Sequence, residues 1–137
     1  MFSVMGILII FPCFAFGLTQ EHLKPCWIWA ICEADVEFRK ELLSCYVPAF
    51  TEKDFSQVAR TIVTYKIQST NATGFFKEFC DLGQELRETV SIECVRSTLD
   101  YYAVTCANPL QADCDRLNKI INCYMNTLDE YHRNGYC

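Results

Sequence analysis

Apolar residues recur along this chain at intervals of three and four, and turn or cap signals cut that rhythm into separate stretches. The first stretch runs through Ile28, Ile31, Cys32, Phe38, Leu42 and Cys45, with Pro25 in its opening turn and Pro48 beyond its end. Asp35 interrupts its apolar stripe and predicts two short helices in place of one. Thr51 opens the next, with Asp54 three residues on as a variant of the capping box; Phe55, Val58, Ala59, Ile62 and Lys66 carry the period to about Gln68. Phe75, Phe76, Phe79, Cys80, Leu82 and Leu86 predict a third helix with Gly83 in its interior, at a cost of roughly 1 kcal/mol relative to alanine. Thr89, Val90, Ser91 and Ile92 combine β-branching with a competing hydroxyl and predict a bend or break. Beyond it, Cys94, Val95, Leu99, Tyr102 and Cys106 predict a fourth helix.

Asn108-Pro109 reads as the cap and first residue of a fifth helix. There Leu110, Cys114, Leu117, Ile121, Tyr124, Leu128 and Tyr131 alternate steps of four and three, a heptad seam. Asn134-Gly135 closes it. No segment alternates with the period of a hairpin strand. The expected fold is all-α, a compact disulfide-stapled bundle of about five helices.

Met1 to Leu18 carries no charged side chain, and Met5 to Phe16 is nearly all apolar. The stretch closes on Ala15-Phe16-Gly17, a small-x-small pattern. It reads as a secretory signal over 1–17, its positive charge supplied by the amino terminus, with 18–137 as a single cysteine-rich domain. Pro12 and Gly17 interrupt a run barely long enough to span a bilayer, and no later stretch approaches one. Seventeen acidic against 12 basic side chains give a formal charge of −5. That balance disfavours phosphate backbones and anionic lipid headgroups, so neither nucleic acid nor a membrane surface is expected as a partner.

Of the 10 cysteines, Cys13 falls in the signal. Cys26, Cys32, Cys45, Cys80, Cys94, Cys106, Cys114, Cys123 and Cys137 remain. In an oxidising compartment an odd count leaves one thiol over. The sequence places it at Cys137, since a chain end can move to find a partner, and leaves open a disulfide-linked dimer through it. A helix rises about 1.5 Å per residue, whereas bridged cysteines keep their Cα atoms within about 7 Å. Two cysteines on one straight helix therefore cannot bond, and even Cys26 and Cys32 would stand about 9 Å apart. Most bridges are expected to cross between helices, and a local Cys106–Cys114 bridge can close over the Asn108-Pro109 turn. Which cysteines pair otherwise stays open. The spacings contain no C-x-x-C, and His22 and His132 lie near opposite ends of the domain, so no metal, cofactor or redox motif is expected.

A histidine base is needed for serine or cysteine nucleophiles. Both histidines read as solvated end residues, and the acidic residues as solvated helix faces; the expectation is a non-enzyme. Asn71-Ala72-Thr73 is an N-glycosylation sequon in a polar loop. Trp27, Trp29, Phe75, Phe76, Phe79, Tyr101 and Tyr102 are either core or the lining of an apolar pocket.

The widely spaced Cys80, Cys94, Cys106, Cys123 and Cys137 resemble those of small cysteine-rich helical proteins of invertebrate haemolymph and venom, the haemolymph glycoprotein-like group above all. That resemblance implies secretion and no particular activity. Cys114 and Cys123, eight residues between them, also match the last cysteine spacing of insect odorant-binding proteins; that family's C-x3-C pair is missing here. The second resemblance implies carriage of small apolar ligands. The leading expectation is a secreted, extracellular glycoprotein that binds another macromolecule, and the alternative is a carrier of small apolar ligands. The ligand-binding residues stay unassigned.

Overall fold

The computed structural model describes residues 22–47, 49–60 and 67–137, and among them every regular element is helical. The signal over 1–17, with Cys13, lies outside the described residues, as do Pro48, Ile62 and Lys66. Helix α1, Leu23–Ile28, runs directly into a π-helical turn, Trp29–Glu33. Then follow α2, Val36–Leu43; α3, Glu52–Ala59; α4, Ala72–Asp81; α5, Gln84–Thr105; and α6, Ala112–Arg133. No helix among the described residues is long and apolar enough to cross a membrane.

Several ends form as the local chemistry dictates. Ala34, in extended conformation, and Asp35, the N-cap of α2, separate the π turn from α2. At α3 the capping box is complete: the Asp54 N–H donates to Thr51 Oγ1 at 3.1 Å, and the Thr51 N–H donates to Asp54 Oδ2 at 2.9 Å. At the end of α6 the Tyr136 N–H reaches the Tyr131 carbonyl and the Gly135 N–H the His132 carbonyl. This Schellman pattern needs a left-handed residue, supplied by Gly135 at φ 78°. Asp113 and Asp115 at its start, with His132 and Arg133 at its end, complement the dipole of α6.

Four expectations about helix bounds are corrected. Gly83 is not inside a helix: α4 stops at Asp81, Leu82 is extended, and Gly83 is the N-cap of α5. No break falls at 89–92, because α5 is continuous; Thr89 Oγ1 donates to the Glu85 carbonyl and Ser91 Oγ to that of Arg87, so both hydroxyls are satisfied within the helix. Asn108 does not cap α6. Its side chain accepts from the Leu110 N–H inside a turn, and α6 starts only at Ala112, leaving Leu110 93% exposed and off the seam. Finally, α3 ends at Ala59, and 67–69 is not helical, so the element does not reach Gln68.

Four disulfides tie the helices together. Cys26–Cys137 joins α1 to the tail after α6, Cys32–Cys80 joins the π turn to α4, and Cys45–Cys123 joins the end of α2 to α6, with Cα separations of 5.2, 5.3 and 5.5 Å. Cys106–Cys114 closes the α5–α6 turn. The bridges cross between helices as the spacing required, and each is worth about 2–4 kcal/mol. Cys137 is therefore not the odd residue; the free cysteine is Cys94. The chain end is held because the Schellman turn folds the tail back toward α1, so the dimer left open through Cys137 loses its thiol.

Phe79, Ile31, Leu42, Leu128, Val90 and Cys26 are fully buried at the centre. Trp29, Phe38, Tyr131 and Tyr136 form an edge-and-face cluster at one end, with Trp29 stacked on Tyr136 at 5.5 Å. Helix α3 carries no cysteine. A polar latch holds it: fully buried Asp54 accepts from the Arg116 guanidinium of α6 and from the Tyr101 hydroxyl of α5, the latter at 2.6 Å.

Candidate functional site: an apolar cavity between the two long helices

Helices α5 and α6 are joined at the Cys106–Cys114 hairpin and by the Tyr102 hydroxyl donating to Asn118 Oδ1 at 2.7 Å. Further from the hairpin, the space they share is a cavity of about 480 Å³, partly open to solvent. From α5 come Ser91, Cys94, Val95, Thr98, Leu99 and Tyr102; from α6, Asn118, Ile121, Asn122, Tyr124, Met125 and Leu128. Leu23, Lys24 and Trp27 of α1 and Ala72, Phe75 and Phe76 of α4 line it too, with Phe55 and Val58 of α3 and with Tyr46 and Phe50. The lining is overwhelmingly apolar and aromatic, the usual composition of a small-molecule site.

Aromatic packing fixes the walls. Trp27 stands edge-on to Phe76 at 5.7 Å and to Phe79 at 4.8 Å, while Tyr46 stacks on Tyr124 at 5.7 Å. The Phe75, Phe76 and Phe79 face packs into the core, and α4 starts at Ala72, so the sequon expected in a loop lies at its cap and first turn. Asn71 caps it, accepting from the Gly74 N–H at 2.9 Å. Gly74 permits the preceding loop to pass close by: a Cβ there would lie 2.6 Å from Ser69 Oγ. Glu78 then fastens that loop, accepting from the Gln68 N–H and from the Ser69 hydroxyl.

Burial disfavours ionisation of Tyr46, Tyr124 and Cys94 in the lining. Burial raises Tyr46 and Tyr124 above the ordinary phenol value. Burial, with the Glu93 carboxylate second, pushes the Cys94 thiol up to about 12. Cys94 is thus a neutral, unreactive wall residue. At the mouth, Val95 and Leu99 are more than half exposed.

Of the seven aromatic candidates, the structure brings Trp27, Phe75, Phe76 and Tyr102 to the cavity. Phe79 lies in the core, Trp29 belongs to the other cluster, and Tyr101 holds Asp54. Tyr46, Phe50, Phe55, Ile121 and Met125 were not anticipated. Cys94, Val95, Leu99 and Tyr102, the stripe that predicted the fourth helix, continue round α5 from buried Val90 one turn earlier, and the width of that apolar face was the available signal.

The histidines are not the independent solvated end residues expected. His22 and His132 stack at 4.1 Å and 8°, His22 Nε2 lies 2.5 Å from Asp129 Oδ1, and His132 Nδ1 donates to a Cys137 oxygen at 2.6 Å. The bridge from Cys26 to Cys137 draws the two chain ends, and with them the histidines, together. Their open surface depression is lined by Asn126 and Arg133 besides, with no serine, threonine or cysteine among its lining residues. Among the described residues no group of three His, Cys, Asp or Glu side chains is arranged to hold a metal ion.

Fold and cavity together define a disulfide-stapled all-helical protein with an apolar cleft between its longest helices. The chain matches no family model, no curated protein and no solved structure.

Proposed function

We propose that this is an exported, non-enzymatic protein that carries a small apolar ligand between α5 and α6. The single observation behind the reading is the cavity. Its volume of about 480 Å³ falls within the span of about 300–1,000 Å³ usual for ligand sites. Filling such a space stabilises by about 0.8 kcal/mol per buried methylene. Export draws support from the four disulfides, which persist in oxidising compartments, and from the uncharged apolar stretch over 1–17. Asn71 and Thr73 are both exposed, which supports glycosylation at Asn71.

The test is titration with N-phenylnaphthylamine, a neutral apolar fluorophore that brightens when it leaves water. The protein from residue 18 is expected to give saturable binding at one site per chain. Thr98→Trp, which fills the cavity from α5, is expected to abolish it with helix content unchanged. No saturable binding by the folded wild type, or undiminished binding by the variant, overturns the reading.

A second reading, docking of an extracellular macromolecule, is favoured by one observation. Ile92, Val95 and Leu99 follow helical spacing along α5, and each is half exposed or more. Ile92→Glu separates the two, since Ile92 does not line the cavity. The carrier reading expects unchanged fluorophore binding in that variant, and the docking reading expects loss of a partner.

A further inference from the structure

The ligand's charge is legible in the wall of the cavity, an inference that rests on the carrier reading. Lys24 is the one charged residue among the described lining residues, and it is already matched: its Nζ lies 2.5 Å from Glu88 Oε2. The pair spans from α1 to α5 at the rim, both side chains about half exposed. Three other polar lining residues, Ser91, Tyr102 and Asn118, are also engaged. Ser91 Oγ donates to the Arg87 carbonyl, the Tyr102 hydroxyl to Asn118 Oδ1, and Asn118 Nδ2 to Cys114 Sγ at 3.6 Å.

An ionised headgroup entering this space would lose water and find no unmatched counter-charge, which is costly. Displacing Glu88 from Lys24 would give up an existing ion pair in exchange for a new one. The protein's formal charge of −5 adds a weak, salt-screened repulsion of anions. The Ser91 and Tyr102 oxygens, by contrast, each keep a lone pair able to accept a hydrogen bond from a hydroxyl.

We infer that the cavity selects uncharged ligands, apolar bodies carrying at most a hydroxyl or similar neutral group, and that Glu88 enforces the selection by neutralising Lys24 at the rim. Glu88 is a specificity residue: it does not line the cavity, and acts through Lys24.

Dodecanol and dodecanoate share a chain and differ in the charge of the head at neutral pH. Each is titrated against the protein from residue 18 carrying Trp29→Phe, leaving Trp27 as the cavity's own fluorophore. Dodecanol is expected to bind roughly tenfold or more tighter than dodecanoate. Glu88→Gln frees Lys24 and is expected to strengthen dodecanoate severalfold while leaving dodecanol unchanged. Lys24→Met added to Glu88→Gln is expected to remove that gain. Dodecanol binding in each variant reports that the cavity is still folded. Dodecanoate binding as well as or better than dodecanol, or no gain for it in Glu88→Gln, overturns the charge selection and leaves the carrier reading standing. Binding of neither ligand, like failure of the neutral fluorophore, overturns the carrier reading itself.

Discussion

Asp54→Asn is the sharpest probe of how α3 is held. The carboxylate is 1% exposed and receives four donors. Oδ2 accepts from the Thr51 N–H and Arg116 Nη1, while Oδ1 accepts from Arg116 Nη2 and the Tyr101 hydroxyl. Burial alone would raise its pKa; the Arg116 guanidinium above all, then Tyr101 and Thr51, overcome that and hold it at about 2 against an ordinary 3.8. A displacement of that size corresponds to about 2 kcal/mol of stability. Asparagine removes this contribution and adds a conflict. With its NH2 in place of Oδ1 the Tyr101 hydroxyl can turn round and accept, but Arg116 Nη2 then faces another donor. One such mismatch costs about 1–3 kcal/mol, at the low end here because Asp113 also accepts from Nη2 at 3.2 Å. The expected loss at neutral pH is about 2–4 kcal/mol.

Denaturant unfolding with disulfides intact, followed by tryptophan fluorescence, measures it. The sign with pH follows from the depressed value. The wild type keeps this stabilisation above the unfolded value near 3.8 and loses it as pH falls through about 2. The gap between wild type and Asp54→Asn should therefore shrink by about 2 kcal/mol over that window. A variant within about 0.5 kcal/mol of wild type at neutral pH, or a gap unchanged in acid, refutes the latch.

Two further outcomes follow from single positions. The Cys94 thiol, pushed up to about 12 by burial, should resist an aqueous aromatic disulfide reagent at neutral pH in the native protein and react once denaturant opens the bundle; rapid native reaction would contradict its place in the wall. Gly135→Ala should lower stability by about 1–2 kcal/mol, because φ 78° strains any residue with a Cβ. Gly135→Asn should cost less, and equal melting temperatures for all three proteins would remove the Schellman argument.

The legible parts of the fold were those set by neighbours in the chain. Thr51 and Asp54, Asp35 and Asn134-Gly135 act within one turn, so their type and spacing suffice. The requirement that bridges cross between helices was equally local, following from helical rise alone. The errors fell where a local preference met a satisfied alternative. Ser91 and Thr89 weaken a helix only when their hydroxyls compete with it, and here they bond back to carbonyls one turn earlier. Gly83 was read as helix interior where it is an N-cap, and Asn108-Pro109 was seen as a boundary but misplaced within its turn, since boundaries depend on which backbone groups find partners.

The cavity was less accessible. Four of its aromatics stood among the candidates, but nothing local distinguishes Trp27, which lines it, from Trp29 two residues on. The π turn and the bridge to the tail send Trp29 to Phe38, Tyr131 and Tyr136 instead. Lys24 and Glu88 likewise lie 64 residues apart, and only their meeting turns two surface charges into a neutral rim.

Periodicity, capping chemistry and cysteine spacing were thus enough for helices and for covalent ties between rods, because each depends on residues a few positions apart. Tertiary packing alone decided which cysteine stayed free, that the space beside it was left unfilled, and which charges were cancelled at its edge. Those depend on how rods of nearly fixed shape meet, and a small change in their crossing decides whether the same aromatic side chains fill a core or enclose a void.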